Sequence, residues 1–127
     1  MNLPDDLKYT DHDEWIRVDG DTITVGITDY AQDALGELVY VELPEVGATV
    51  SAGVAICEVE SVKAVAEVYA PCDGEVVEVN EALDGDEETV NGDPYGGGWL
   101  FKLKVSDAGP LDALMSPAAY QQKIAES

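Results

Sequence analysis

Basic residues are scarce in this chain: six Lys and Arg stand against 27 Asp and Glu among 127 residues, a formal net charge of −21. That balance argues against nucleic acid and anionic membrane as partners, since both demand a basic face. Histidine occurs once, at His12, and the two cysteines, Cys57 and Cys72, lack metal-ligand spacing. No metal site is expected, and both thiols read as ordinary buried or turn residues. Long apolar runs are missing too. No stretch approaches the length of a membrane span, and Met1-Asn2-Leu3-Pro4-Asp5-Asp6 shows neither a basic segment nor an apolar run, so no secretory signal is visible and a cytoplasmic protein is expected. The length suits one domain over residues 1–127, large enough to bury a core without staples.

What is present is mostly the punctuation of β structure. Trp15-Ile16-Arg17-Val18 and Thr22 to Ile27 flank Asp19-Gly20-Asp21, a strong hairpin signal. Thr28 is placed to cap a short helix through Tyr30 to Leu35 that Gly36 closes. Further strands are expected at Leu38 to Leu43, Glu75 to Val79 and Leu100 to Val105, with an acidic loop from Glu81 to Glu88 between the last two. Leu111, Leu114 and Met115 recur at helical spacing, and Ser116-Pro117 starts a final helix carrying Tyr120 and Ile124. Thr49-Val50-Ser51-Ala52-Gly53 and Thr89-Val90-Asn91-Gly92 form a weak internal repeat, each copy preceding an expected strand, which suggests two related halves packed as a flattened sandwich.

Against so acidic a background one lysine stands out. Lys63 sits in Glu60-Ser61-Val62-Lys63-Ala64 between two strand-like runs, Val54 to Val59 and Ala64 to Ala70, the second ended by Pro71. The runs are too close to be joined by anything but a hairpin turn, so Lys63 belongs at or beside its tip with its amine toward solvent. A tip lysine ordinarily keeps a strand edge soluble. Here carboxylates already supply solubility, and a lone amine on a protruding turn with small neighbours, Ser61 and Ala64, suits covalent modification.

Read in order, Lys8-Tyr9-Thr10, Glu14-Trp15, GITDYAQ from Gly26 to Gln32, Leu35-Gly36, VELPEVG from Val41 to Gly47, ESVKA from Glu60 to Ala64, Gly74-Glu75-Val76, Val79-Asn80 and VNGDPYGGGW from Val90 to Trp99 span nearly the whole chain. This arrangement resembles the H proteins of the glycine cleavage system. The resemblance implies a mainly β fold, a flattened sandwich or barrel of the lipoyl/biotinyl carrier type, with a short helix after the first hairpin and helices at the C-terminal end. It implies lipoate in amide linkage on Lys63 and a carrier, not an enzyme, with no catalytic residue of its own. The implied partners are glycine decarboxylase (P-protein), which uses pyridoxal phosphate, the tetrahydrofolate-dependent aminomethyltransferase (T-protein), dihydrolipoyl dehydrogenase (L-protein), and a lipoate ligase or lipoyl-transfer enzyme. The carrier takes the aminomethyl group of glycine from the first to the second, and electrons to the third.

Within that implied cycle Glu14 is the candidate contact to the arm's aminomethyl group, because an ionised carboxylate accepts charge-assisted hydrogen bonds from an ammonium; the competing reading is a solvated surface acid. Trp15, Tyr30 and Trp99 either line a groove for the arm or pack in the core. Gly96-Gly97-Gly98 reads as a turn, not a phosphate loop. Two departures stand out: the family's His-Glu-Trp is here His12-Asp13-Glu14-Trp15, and the acidity exceeds the family norm, which points to a halophilic habitat. Two related readings stay open at this level, an H-like lipoate carrier serving sulfur oxidation or lipoyl relay and a lipoyl domain of a 2-oxoacid dehydrogenase complex. A third, of another class, is an acidic interaction module that carries no lipoate. Biotin carriers favour methionine on both sides of the lysine, where this chain has Val62 and Ala64.

Overall fold

The computed structural model describes residues 2–126. Two antiparallel sheets form the body of the molecule. The larger contains β1 (Lys8–Tyr9), β2 (Glu14–Asp19), β3 (Thr22–Ile27), β5 (Thr49–Val50), β8 (Asp73–Val79) and β9 (Phe101–Asp107), in the order β1-β2-β3-β9-β8-β5. The smaller contains β4 (Leu38–Glu42), β6 (Ala55–Ser61) and β7 (Val65–Tyr69), with β6 central. Ile16, Ile23, Val25, Phe101 and Leu103 of one sheet meet Cys57, Val59 and Val68 of the other, and these residues are fully or nearly fully buried. This arrangement matches the mainly β, two-layer expectation, including the β2–β3 hairpin around Gly20, which takes a positive φ of 64°.

Strand alternation places a second core on the opposite side of the large sheet. Trp15, one residue from Ile16, points away from the sandwich. It packs with Leu7, Tyr9, Tyr95, Tyr120 and Ile124 under helix α3 (Pro117–Ala125). Its indole lies across Gly26, its register partner, where a β-carbon would stand 2.5 Å from the ring nitrogen. Only glycine leaves room for it there.

Three expectations are corrected. The halves are unequal, six strands against three, and the supposed repeat does not fold alike: Thr49–Val50 is a strand paired with β8, whereas Thr89–Gly92 is helix α2. Asp93-Pro94 follows Gly92 at once and leaves no room for a strand. The acidic segment after β8 is more than a loop, since a 3₁₀ turn at Glu81–Leu83 buries Leu83. Leu111 and Leu114 do not share an α-helix with Met115. Gly109–Ala113 forms a 3₁₀ helix, and Met115 bridges Tyr9 through two backbone hydrogen bonds of 2.9 and 2.8 Å. Met115 is held in the bridge to Tyr9 and Ser116 is extended (ψ 165°) to cap α3, so neither continues a helix from Leu114. Helix α1 (Asp29–Leu35) is capped by Thr28 and closed by Gly36 at φ 83°, as its sequence implies.

Candidate functional site

The β6–β7 hairpin carries Lys63 at its tip. Ser61, itself buried, holds the turn from within: its N–H donates to the Ala64 carbonyl (2.8 Å), and its Oγ accepts from the N–H groups of Lys63 (3.3 Å) and Ala64 (3.1 Å). Val62, Lys63 and Ala64 are left as exposed loop residues between β6 and β7, with Val62 82 % exposed. Exposed Val39, Tyr40 and Val65 surround the tip on the same small sheet. Among the described residues no carboxylate lies within ion-pairing distance of Lys63. The sequence therefore placed the lysine correctly. What it did not reveal is the surface behind the side chain, where the C-terminal end of α1 lies so close that a β-carbon on Gly36 would sit 3.5 Å from Lys63 Cε.

Glu14 lies elsewhere, and not on the surface. It is 1 % exposed, which removes the solvated-acid reading. Its Oε1 accepts from the Thr10 hydroxyl (3.0 Å), and its Oε2 accepts a short hydrogen bond from the Tyr69 N–H at the far end of β7. Burial pushes the carboxyl up to about 7, against the opposing pull of the Tyr69 and Thr10 donors and with a further push from Asp11 and Asp13. Above it opens a cavity of about 390 Å³ lined by Thr10, His12, Tyr69, Leu114 and Met115, among others. The His12 ring stacks on Tyr69 at 4.3 Å. Trp15, Tyr30 and Trp99 line none of this pocket: Trp15 is a core residue bonded to the Pro94 carbonyl (2.9 Å), and the other two pack partly buried against the second core.

Asp13, which takes the place of the family histidine, has a positive φ of 65° and accepts from the Tyr120 hydroxyl (2.9 Å). The two thiols are buried as expected, and burial raises their pKa values to about 12 for Cys57 and about 11 for Cys72. A thiol kept protonated does not attack a disulfide, so both are chemically quiet. The glycine run after Pro94 is a turn, with the Gly97 N–H already taken by the Asp93 carboxylate (2.8 Å). Among the described residues no group of His, Cys, Asp and Glu is arranged to hold a metal ion, and no helix is long and apolar enough to cross a membrane.

An exposed lysine on a tight hairpin of a two-sheet sandwich is the architecture of a lipoyl carrier. The family model for the glycine cleavage H-protein matches residues 7–127. A glycine cleavage system H protein of Thermus thermophilus is 57 % identical over 124 residues, covering 98 % of this chain and 97 % of the relative. One from Escherichia coli is 54 % identical over 121 residues, covering 94 % of each. The crystal structure of a glycine cleavage system H protein from Mycobacterium marinum superposes with a TM-score of 0.89 at 43 % identity, covering 97 % of this chain and 99 % of that one. The chain belongs to the glycine cleavage H-protein family. It is accordingly a carrier of covalently bound lipoate, not an enzyme, and works with the P-, T- and L-proteins. The sulfur-oxidation, lipoyl-relay and dehydrogenase-domain readings are not favoured.

Proposed function

We propose that Lys63 is the residue that bears the lipoate and that the pocket over Glu14 receives the loaded end of the arm. The observation that carries the first part is the tip itself: a three-residue loop, fixed by Ser61 and presenting one amine with no ion-pair partner among the described residues. When bound, lipoate supplies a dithiolane that takes up the aminomethyl group with reduction and is later reoxidised. The chain's own part is to hold, shield and release that cargo.

Reach supports the second part. From Lys63 to Tyr69 the strand runs about 20 Å at roughly 3.3 Å per residue. An extended arm of about fourteen bonds from Cα, advancing roughly 1.25 Å per bond, spans about 17 Å to its terminal amine. A hydrogen bond of about 3 Å closes the difference. At that distance Glu14, oriented by Thr10 and Tyr69, meets an ammonium, whose positive charge favours the ionised carboxylate that burial alone disfavours. The acidity suits a cytoplasmic setting, and we place the carrier there. Peptide mass mapping of the modified protein tests the attachment: a lipoyl mass increment is expected on the peptide containing Lys63, and an increment on Lys8, Lys102, Lys104 or Lys123 instead would overturn it.

A further inference from the structure

Ser61 fixes the backbone of the Lys63 turn, but nothing in that turn sets the direction of four flexible methylenes. The corner at Gly36 borders their path. Lys63 Cε passes Gly36 so closely that a β-carbon there would be in van der Waals contact with it at 3.5 Å. Gly36 takes φ 83° and ψ −166°, a conformation that L side chains rarely adopt, and is followed by the start of β4, where Leu38 stands opposite Ser61. The strand register slips between Leu38 and Tyr40, so this corner lacks the regular ladder that holds the rest of the sheet.

One side chain from a distant element holds it instead. The Asn91 amide of α2 donates to the Gly36 carbonyl (2.8 Å) and to Gln32 Oε1 (3.0 Å), while its carbonyl oxygen accepts from the Leu38 N–H (2.9 Å). Both amide hydrogens and the oxygen are spent on the α1–β4 joint, and only an asparagine has those donors and that acceptor at that length. We infer that Asn91 is a positioning residue for lipoyl attachment: through Gly36 it keeps rigid the corner beside which the Lys63 side chain passes, and so limits the directions in which the amine leaves the hairpin. This inference rests on Lys63 being the attachment site.

Asn80 provides a comparison, since its buried amide also donates to two backbone carbonyls, Gly97 and Trp99 (2.8 Å each), in the turn after α2 and not at the Gly36 corner. The experiment measures kcat/KM for lipoylation by a lipoate ligase of wild-type, Asn91→Ala and Asn80→Ala carrier, with unfolding midpoints alongside. In Asn91→Ala the rate should fall about three- to tenfold, the share of lysine rotamer freedom that a bordering surface removes. Asn80→Ala should lose comparable stability and lipoylate at the wild-type rate. A second readout needs no variant: ¹³C relaxation at lysine Cε in the unmodified wild type should show Lys63 more ordered than the exposed Lys8 and Lys104. Equal lipoylation of the two variants, or a Lys63 Cε as mobile as those of Lys8 and Lys104, overturns the inference. Lipoate found on another lysine of the wild type instead overturns the attachment site beneath it.

Discussion

Glu14 stands in phase with Ile16 on β2, so the pleat that buries the isoleucine buries the carboxyl as well. Its folded pKa of about 7 lies above the ordinary 4.5, so the native state binds more protons than the unfolded chain between those values. The stabilisation from this group is therefore complete below about pH 4.5 and is lost as pH rises to about 7. Replacing Glu14 with Gln removes the charge and keeps the shape. The stability difference between wild type and Glu14→Gln should fall across that window, and the variant's loaded form should release ammonia and formaldehyde about tenfold faster, for want of a charge-assisted bond. A flat difference together with an unchanged release rate would remove Glu14 from the arm's binding site. Its burial is missed in reading the sequence, which offers a solvated surface acid instead, although the two-residue period joining it to Ile16 carries that signal. Its bond to Tyr69 has no local signal, because that contact exists only once one sheet lies on the other. Asn91 was hidden for a similar reason: within Thr89-Val90-Asn91-Gly92 it was only part of a weak repeat, while its partners are Gln32, Gly36 and Leu38.

Elements whose signals are local were legible, and those defined by distant partners were not. The β2–β3 hairpin, α1 between Thr28 and Gly36, and the Lys63 hairpin each carry their turn or cap residues within a few positions. The division into six and three strands depends on where β8 and β9 pair, which no local pattern encodes. Helix α3 shows both cases. Ser116 and Pro117 announce its start, but its docking is set by Tyr120, which stacks on Tyr9 at 5.0 Å and whose hydroxyl joins Thr28 Oγ1 (2.7 Å) to Asp13 Oδ1 (2.9 Å). Burial keeps that phenol protonated well beyond the usual range, so it remains a donor to Asp13. Tyr120→Phe should lower stability by about 1–2 kcal/mol, read as a lower urea midpoint, because it strips a partner from the buried Thr28 hydroxyl and another from the partly exposed Asp13. Lipoylation of the variant should be unchanged; an unaltered midpoint would show that the ring, not the hydroxyl, docks the helix.

For the molecule as a whole, a charge of −21 on one small sandwich is self-repulsive, and like charges face each other directly where Glu42, Glu58 and Glu67 lie in register across the small sheet. Screening shortens from about 30 Å at 0.01 M salt to about 3 Å at 1 M, so, if the acidity is an adaptation to salt, the chain should melt at a clearly higher temperature in molar potassium chloride. A midpoint that does not rise would mean that the acidity serves to steer the carrier toward basic enzyme surfaces instead. The most direct test of the whole account is turnover in a reconstituted glycine cleavage system containing the P-, T- and L-proteins and lipoylated carrier. Lys63→Arg keeps the charge but cannot form the amide; it should match the wild-type unfolding midpoint and support no glycine-dependent NAD reduction. Glycine-dependent NAD reduction by a folded Lys63→Arg carrier would contradict the account.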